Sequence, residues 1–172
     1  MKKSLIIYIA FGIFIIIATI FVLNILKFVN KFENSIIADK TESNIKSKYL
    51  IALNLRNNKT DTINFRGIKV INFWAYYCNP CKLEMPLLEK MNKYYKVILF
   101  SNDSSNLTKK YIQENIKNLD VYYYADTTIF GYSELIPRTI VLKDSTIKID
   151  NTGKLTLNET EFKGKIDSLC KN

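Results

Sequence analysis

The chain of 172 residues is 48% hydrophobic and carries a formal charge of +9, enough apolar material for one ordinary domain with a core. It has no histidine, which removes the commonest metal ligand and general base and excludes Ser-His-Asp, Cys-His and His-metal chemistries. Its three cysteines are too few for a disulfide-stapled mini-domain, and its lysines are scattered among Asn, Asp and Glu, so the charge reads as a solvated surface and not as a nucleic-acid interface.

The N-terminus opens with Lys2 and Lys3 and then runs from Leu5 to Leu23 without a charge. With Asn24 to Leu26 this run spans roughly 30 Å as a helix, the thickness of a bilayer core. No small-x-small site follows Leu26, "SIIA" at Ser35 to Ala38 being a poor match, and no cysteine follows for lipid attachment. The expectation is an uncleaved anchor over residues 1–28. Lys2 and Lys3 favour a cytoplasmic N-terminus, although Lys27 and Lys31 on the far side weaken that bias. The remainder would then be extracytoplasmic, where disulfide chemistry is permitted. Residues 29–48 are polar and read as a tether.

A domain is expected over residues 49–172. "YLIALNL" and "DTINFRG" flank the turn-like "RNNKT" and predict a hairpin. "IKVINFWA" predicts a buried strand, followed by a helix with Leu83, Leu87, Leu88 and Met91 at helical spacing. "VILFSND" predicts a second buried strand. The next helix is capped near Asp103 or Ser104 and ends near Asn118, with Leu107, Tyr111, Ile112 and Ile116 on one face. "VYYYAD" reads as a short strand and "TTIFGYSEL" as a short helix or loop. "RTIVLK" and "STIKID" read as two tightly joined strands, and an amphipathic helix closes the chain. The β-α-β step needs a crossover, so the fold class is α/β, a central sheet with helices on both faces.

The chemistry concentrates in "VINFWAYYCNPCKLEMP", Val70 to Pro86, which holds Cys78, Cys81 and the single tryptophan, Trp74. Such a pair can be a redox centre, half of a zinc site or an inert disulfide. Four-ligand zinc needs a second pair, which Cys170 alone does not supply. A disulfide across so short a loop contributes little chain entropy. A Cys-x-x-Cys that follows a buried strand and opens a helix is the setting of thiol redox work. Cys78 at the helix N-terminus faces unpaired N–H groups and the positive dipole end, which favour a thiolate. Cys81 would point inward and resolve a mixed disulfide at Cys78. Pro80 lies in the first turn, where its missing N–H costs little. Glu84 is a proton relay to Cys81 if partly buried; an exposed helical glutamate is the plainer account of it. Cys170 shares a helical face with Phe162, Ile166 and Leu169 and reads as a small buried hydrophobe.

These residues resemble the thioredoxin superfamily, and within it the membrane-anchored, extracytoplasmic TlpA/ResA-like thiol-disulfide oxidoreductases. The resemblance spans roughly Tyr49 to Cys170 and is carried by "VINFWAYYCNPCKLEMP", "VILFSND" and "LIPRTIVLK". It implies a thioredoxin-like fold with an extra N-terminal hairpin, catalytic Cys78 and Cys81, and a helix-kinking Pro86. It also implies a cis bond at Ile136-Pro137 that presents backbone to an extended substrate beside Trp74 and Pro80. The span between Cys81 and Pro137 is longer than in plain thioredoxins and resembles the TlpA-type insertion. Asn72 stands where thioredoxin has a buried aspartate, Tyr77 where it has tryptophan, and Arg138 where it has threonine, with a charge that could favour the Cys78 thiolate.

Strong oxidants lie at about −120 mV and thioredoxin at about −270 mV. Asn79 and Pro80 supply no cation to over-stabilise a thiolate, so a reducing potential is expected. The resemblance implies a tethered monomeric reductase of protein disulfides, fed by a membrane thiol donor, with cytochrome c haem-site cysteines or misbonded proteins as substrates. No cofactor beyond the Cys78–Cys81 disulfide and no metal is expected. The alternative is a non-catalytic tethered module that binds through the groove around Pro137.

Overall fold

The computed structural model describes residues 15, 17–27, 43–125, 128–131 and 135–170. Residues 17–27 are helical, and among the described residues no helix is long and apolar enough to cross a membrane. The anchor expected over 1–28 and the tether over 29–48 lie largely outside the described residues. The described end of that tether holds a strand that its polar sequence did not signal, β1 (Ser43–Asn44).

The other elements follow in order: β2 (Tyr49–Asn54), β3 (Thr60–Asn64), β4 (Ile68–Phe73), α1 (Asn79–Met91), β5 (Lys96–Ser101), α2 (Asn106–Asn115), β6 (Asp120–Tyr123), β7 (Arg138–Lys143), β8 (Thr146–Thr152) and α3 (Glu159–Cys170). They build one mixed sheet in the order β1-β8-β7-β4-β5-β6-β2-β3. β4 and β5 are parallel, joined through α1 as a parallel pair requires. β7 and β8 are antiparallel, and their two-residue turn places Asp144 and Ser145 at φ 48° and 72°. Positive φ at both central positions matches the twist of a tight hairpin.

β4 is the central strand, and its last four residues are all buried because both faces are covered. Alternate side chains go to opposite faces. On one face Ile71, Phe73, Ile98, Phe100, Ile140 and Leu142 form one core cluster with Leu50, Ala52 and Ile63 of the β2–β3 edge and with Phe65 just after it. The other face presents Val70, Asn72, Val97, Leu99, Thr139 and Val141, all buried, and α1 packs on β5 and on α3.

The helix faces are the expected ones at Leu88, Met91, Ile112, Ile116, Phe162 and Ile166 and differ at Leu83, Leu107 and Leu169. α1 buries Cys81, Glu84, Met85, Leu88 and Met91, whereas Leu83 is 66% exposed. α2 is capped by Ser105, whose side chain accepts from the Thr108 N–H, and it buries Thr108 and Ile112 while Leu107 is exposed. One-residue shifts of a helical face follow from where each helix meets the sheet. In α3 the buried residues are Phe162, Ile166 and Cys170, and Leu169 is turned outward.

Arg138 faces the aromatic side. It forms a bidentate pair with Asp150, Nε to Oδ1 and Nη2 to Oδ2 both at 2.8 Å, donates to the Phe130 carbonyl and lies over the Phe73 ring. Both side chains are nearly buried, at 12% and 7% exposure. The expectation that Arg138 serves the Cys78 thiolate is replaced by this ion pair. Asp150→Ala strands a buried guanidinium and should lower the urea-unfolding free energy by about 3 kcal/mol. A change within experimental error would mean that the pair contributes nothing net.

Candidate active site

α1 begins where it does because Cys78 caps it. Cys78 is extended, at φ −82° and ψ 100°, and its Sγ accepts the Cys81 N–H at 3.2 Å. Pro80 occupies the first turn, where no intrahelical donor is lost, and Pro86 lies inside the helix. Cys78 and Cys81 are joined as a disulfide with Cα atoms 5.3 Å apart. Cys78 keeps 8% exposure and Cys81 none, so Cys78 is the member of the pair nearer to solvent.

Trp74 leaves β4 just before this turn. Its backbone N–H donates to the Phe100 carbonyl, and its indole is 1% exposed with its ring 5.7 Å from that of Tyr111. The Lys82 ammonium lies 5.0 Å from the Tyr111 centroid on the same side. As the single tryptophan, four residues before Cys78, Trp74 should gain fluorescence when the disulfide is reduced. Emission unchanged by dithiothreitol would place the indole out of reach of the sulfurs.

Glu84 follows Cys81 by one turn on the same buried side of α1 and is 1% exposed, not the solvent-facing glutamate that its sequence position suggests. Three elements close around it. Asn72 of β4 donates through Nδ2 to Glu84 Oε2 at 3.2 Å and to Thr139 Oγ1 of β7 at 3.0 Å, and the backbone N–H of Leu155 donates to Glu84 Oε1. Asn72 Oδ1 has no hydrogen-bond partner. Burial pushes the Glu84 carboxyl up to about 7, against the opposing pull of the Leu155 N–H, the Asn72 amide and the Lys154 ammonium. A carboxyl poised near neutrality is the tuning that proton transfer needs.

Thr139 and Leu155 were not found from the sequence. Thr139 gave only a strand signal, and a backbone N–H gives no signal at all. The strap that carries Leu155 begins at Gly153, φ 96°, whose N–H donates to the Pro137 carbonyl at 2.7 Å. Ile136-Pro137 is cis. Phe73 pairs with Arg138 across β4 and β7, so Pro137 lies at the end of the sheet from which the chain leaves for Cys78. Cys170 is buried, and burial pushes its thiol up, which suits a packing role. Among the described residues no cluster of His, Cys, Asp and Glu could hold a metal ion.

A mixed sheet flanked by helices, with a Cys-x-x-Cys disulfide at a helix N-terminus after the central strand, is a thioredoxin-like architecture. No family model matches the chain. It is similar to the thioredoxin of Buchnera aphidicola subsp. Acyrthosiphon pisum, with 30% identity over 115 residues, 64% of this chain and 91% of that one. It is similar as well to the thioredoxin-like protein YneN of Bacillus subtilis, with 28% identity over 128 residues, 66% of this chain and 73% of YneN. Its fold is that of a DsbF homologue from Corynebacterium diphtheriae, TM-score 0.57 at 19% identity, covering 77% of this chain and 95% of the homologue. The chain belongs to the thioredoxin family and is a thioredoxin-like thiol-disulfide oxidoreductase.

Proposed function

We propose that the chain is a membrane-tethered, extracytoplasmic reductase of protein disulfides, of the TlpA/ResA-like kind. The observation that carries the redox chemistry is the asymmetry of the pair, with Cys78 nearer to solvent at a helix N-terminus and Cys81 fully buried one turn before Glu84. In the reduced enzyme the Cys78 thiolate attacks one sulfur of a substrate disulfide, and the other substrate sulfur leaves as a thiolate and takes up a proton. Cys81 gives its proton to the Glu84 carboxylate and attacks the Cys78 sulfur. The second substrate thiol is released, and the Cys78–Cys81 disulfide holds the two-electron deficit. A membrane thiol donor restores the dithiol, and no other cofactor takes part.

Tyr77, Leu83 and Leu135 are 62%, 66% and 69% exposed and offer apolar surface to a protein substrate around Trp74, Pro80, Ile136 and Pro137. Support for the tether comes from residues 17–27, a helix whose described apolar side chains, Ile17, Phe21 and Leu23 among them, are all exposed. A helix apolar on every side fits lipid better than water. Haem-site cysteines of cytochrome c or misbonded proteins are the substrates that this reading suggests, with the enzyme acting as a monomer.

Among the described residues the helix N-terminus, with the Cys81 N–H donated to Cys78 Sγ, stabilises a thiolate at Cys78, and Arg138 is held by Asp150 instead. The midpoint potential should therefore lie below about −180 mV, the level of disulfide isomerases. Equilibration with glutathione and dithiothreitol buffers measures it. A midpoint above that level would make the chain an oxidant.

A further inference from the structure

One end of the sheet has no part in the redox site. β4 starts there at Ile68 and runs about 20 Å to the end that leads to Cys78. Lys46, Lys48, Arg66, Lys69, Lys93 and Lys96 gather at this far end. Strand pairing and backbone hydrogen bonds place them together. Lys69 and Lys96 are direct partners across β4 and β5, and Gly67 and Asp144 exchange hydrogen bonds at the β7–β8 turn. Ile45 donates to the Ser145 carbonyl at 2.9 Å, and the Phe65 N–H donates to the Lys48 carbonyl at 3.0 Å.

Few carboxylates answer this charge. Lys96 pairs with Asp120, and Asp144 accepts from the Gly67 N–H. Among the described residues Lys46, Lys48, Arg66 and Lys93 form no ion pair. Like charges directly opposite on neighbouring strands are destabilising. Burial and the facing Lys96 ammonium push Lys69 below the ordinary lysine range, with Asp144 opposing. Each of two surface clefts here joins cations to a half-exposed tyrosine. One is lined by Lys46, Lys48, Tyr49 and Arg66, and the other by Lys69, Lys93, Tyr94 and Lys96.

Lysines that meet phosphate, with tyrosine rings set at headgroup depth, are the chemistry of an anionic bilayer surface. β1 also runs toward this end, where Asn44 pairs with Thr146, and the uncharged apolar run closes at Leu26 upstream in the sequence. We propose that this lysine- and tyrosine-bearing end of the sheet docks on an anionic lipid bilayer. The proposal rests on the tethered reading above. A nucleic acid is disfavoured because the cations form two separated clefts and not a continuous track.

The test is lysine footprinting of the full chain with an N-hydroxysuccinimide ester, read by mass spectrometry. The chain is placed in lipid discs of phosphatidylcholine alone or with phosphatidylglycerol. Each cation near an anionic surface strengthens association about fivefold. Lys46, Lys48 and Lys93 should therefore be labelled at least about fivefold more slowly in the anionic discs. Lys109 and Lys110, early in α2 beyond the other end of β5, should label equally in both. High salt should remove the difference, and Lys46→Glu with Lys93→Glu should restore labelling of Lys48 in low salt. Equal labelling in the two lipids, or slowing that extends to Lys109 and Lys110, would overturn the proposal. Protection by an RNA oligonucleotide but not by anionic lipid would make the surface a nucleic-acid site. If the chain is retained in neither disc the tether reading fails, and phosphatidylglycerol vesicles added to the chain then decide the docking surface by the same labelling ratio.

Discussion

Replacing Cys78 with serine should lower insulin-disulfide reduction by at least about a thousandfold, because a hydroxyl is not ionised near neutral pH and the attacking group is a thiolate. The geometry makes Cys78 the only candidate for that step. Its sulfur caps α1 and accepts the Cys81 N–H, so a negative charge formed there on reduction meets a helix N-terminus. Cys81→Ser should behave differently. Attack survives and resolution does not, so substrates accumulate as mixed disulfides on Cys78 that non-reducing electrophoresis separates and mass spectrometry identifies. A Cys78→Ser protein with wild-type turnover would sink the catalytic assignment and leave the non-catalytic binding module as the better account. A Cys81→Ser protein that traps nothing would remove the division of labour between the two sulfurs.

Glu84→Gln should stabilise the fold at alkaline pH while slowing the redox cycle. Burial raises the Glu84 carboxyl from 4.5 to about 7, so the folded chain holds this proton over a pH range in which the unfolded chain has lost it. Between those values the folded state binds more protons, and stability falls as pH rises. The variant and the wild type should match below about pH 4.5 and diverge up to about pH 7, with the variant ahead by about 3 kcal/mol above that. Glutamine can keep the Leu155 hydrogen bond, and its amide finds an acceptor if Asn72 turns its unpartnered Oδ1 inward. Resolution by Cys81 should lose its rise with pH near 7, since the group that accepts the proton is gone. Urea unfolding at several pH values measures the first effect and single-turnover reduction the second. A parallel stability curve for the two proteins would mean that Glu84 is ionised as readily as in the unfolded chain. An unchanged pH profile of resolution would assign the proton to another acceptor.

Local pattern was enough for the parts of this protein that are local. Apolar strands at Ile68–Phe73 and Lys96–Ser101, the helix between them, and Cys78 and Cys81 at its start are all written in short-range periodicity and spacing. The strand that begins at Arg138, directly after Ile136-Pro137, was legible for the same reason. What the sequence could not show was what covers each residue. Glu84 is a helical glutamate like any other until Asn72, Thr139 and the Gly153–Leu155 strap, all distant in sequence, close over it. Leu83 and Leu107 looked like core because helical spacing fixes a face only to within a residue, and the sheet decides which residue turns inward. Arg138 could be named but not aimed, since its direction depends on Asp150 across the β7–β8 pair. The sequence by itself determined the fold and the two sulfurs, because backbone preference and hydrophobic period act between neighbours. The tertiary structure alone decided the proton acceptor, because desolvation and hydrogen bonding to a carboxyl are properties of whatever packs against it.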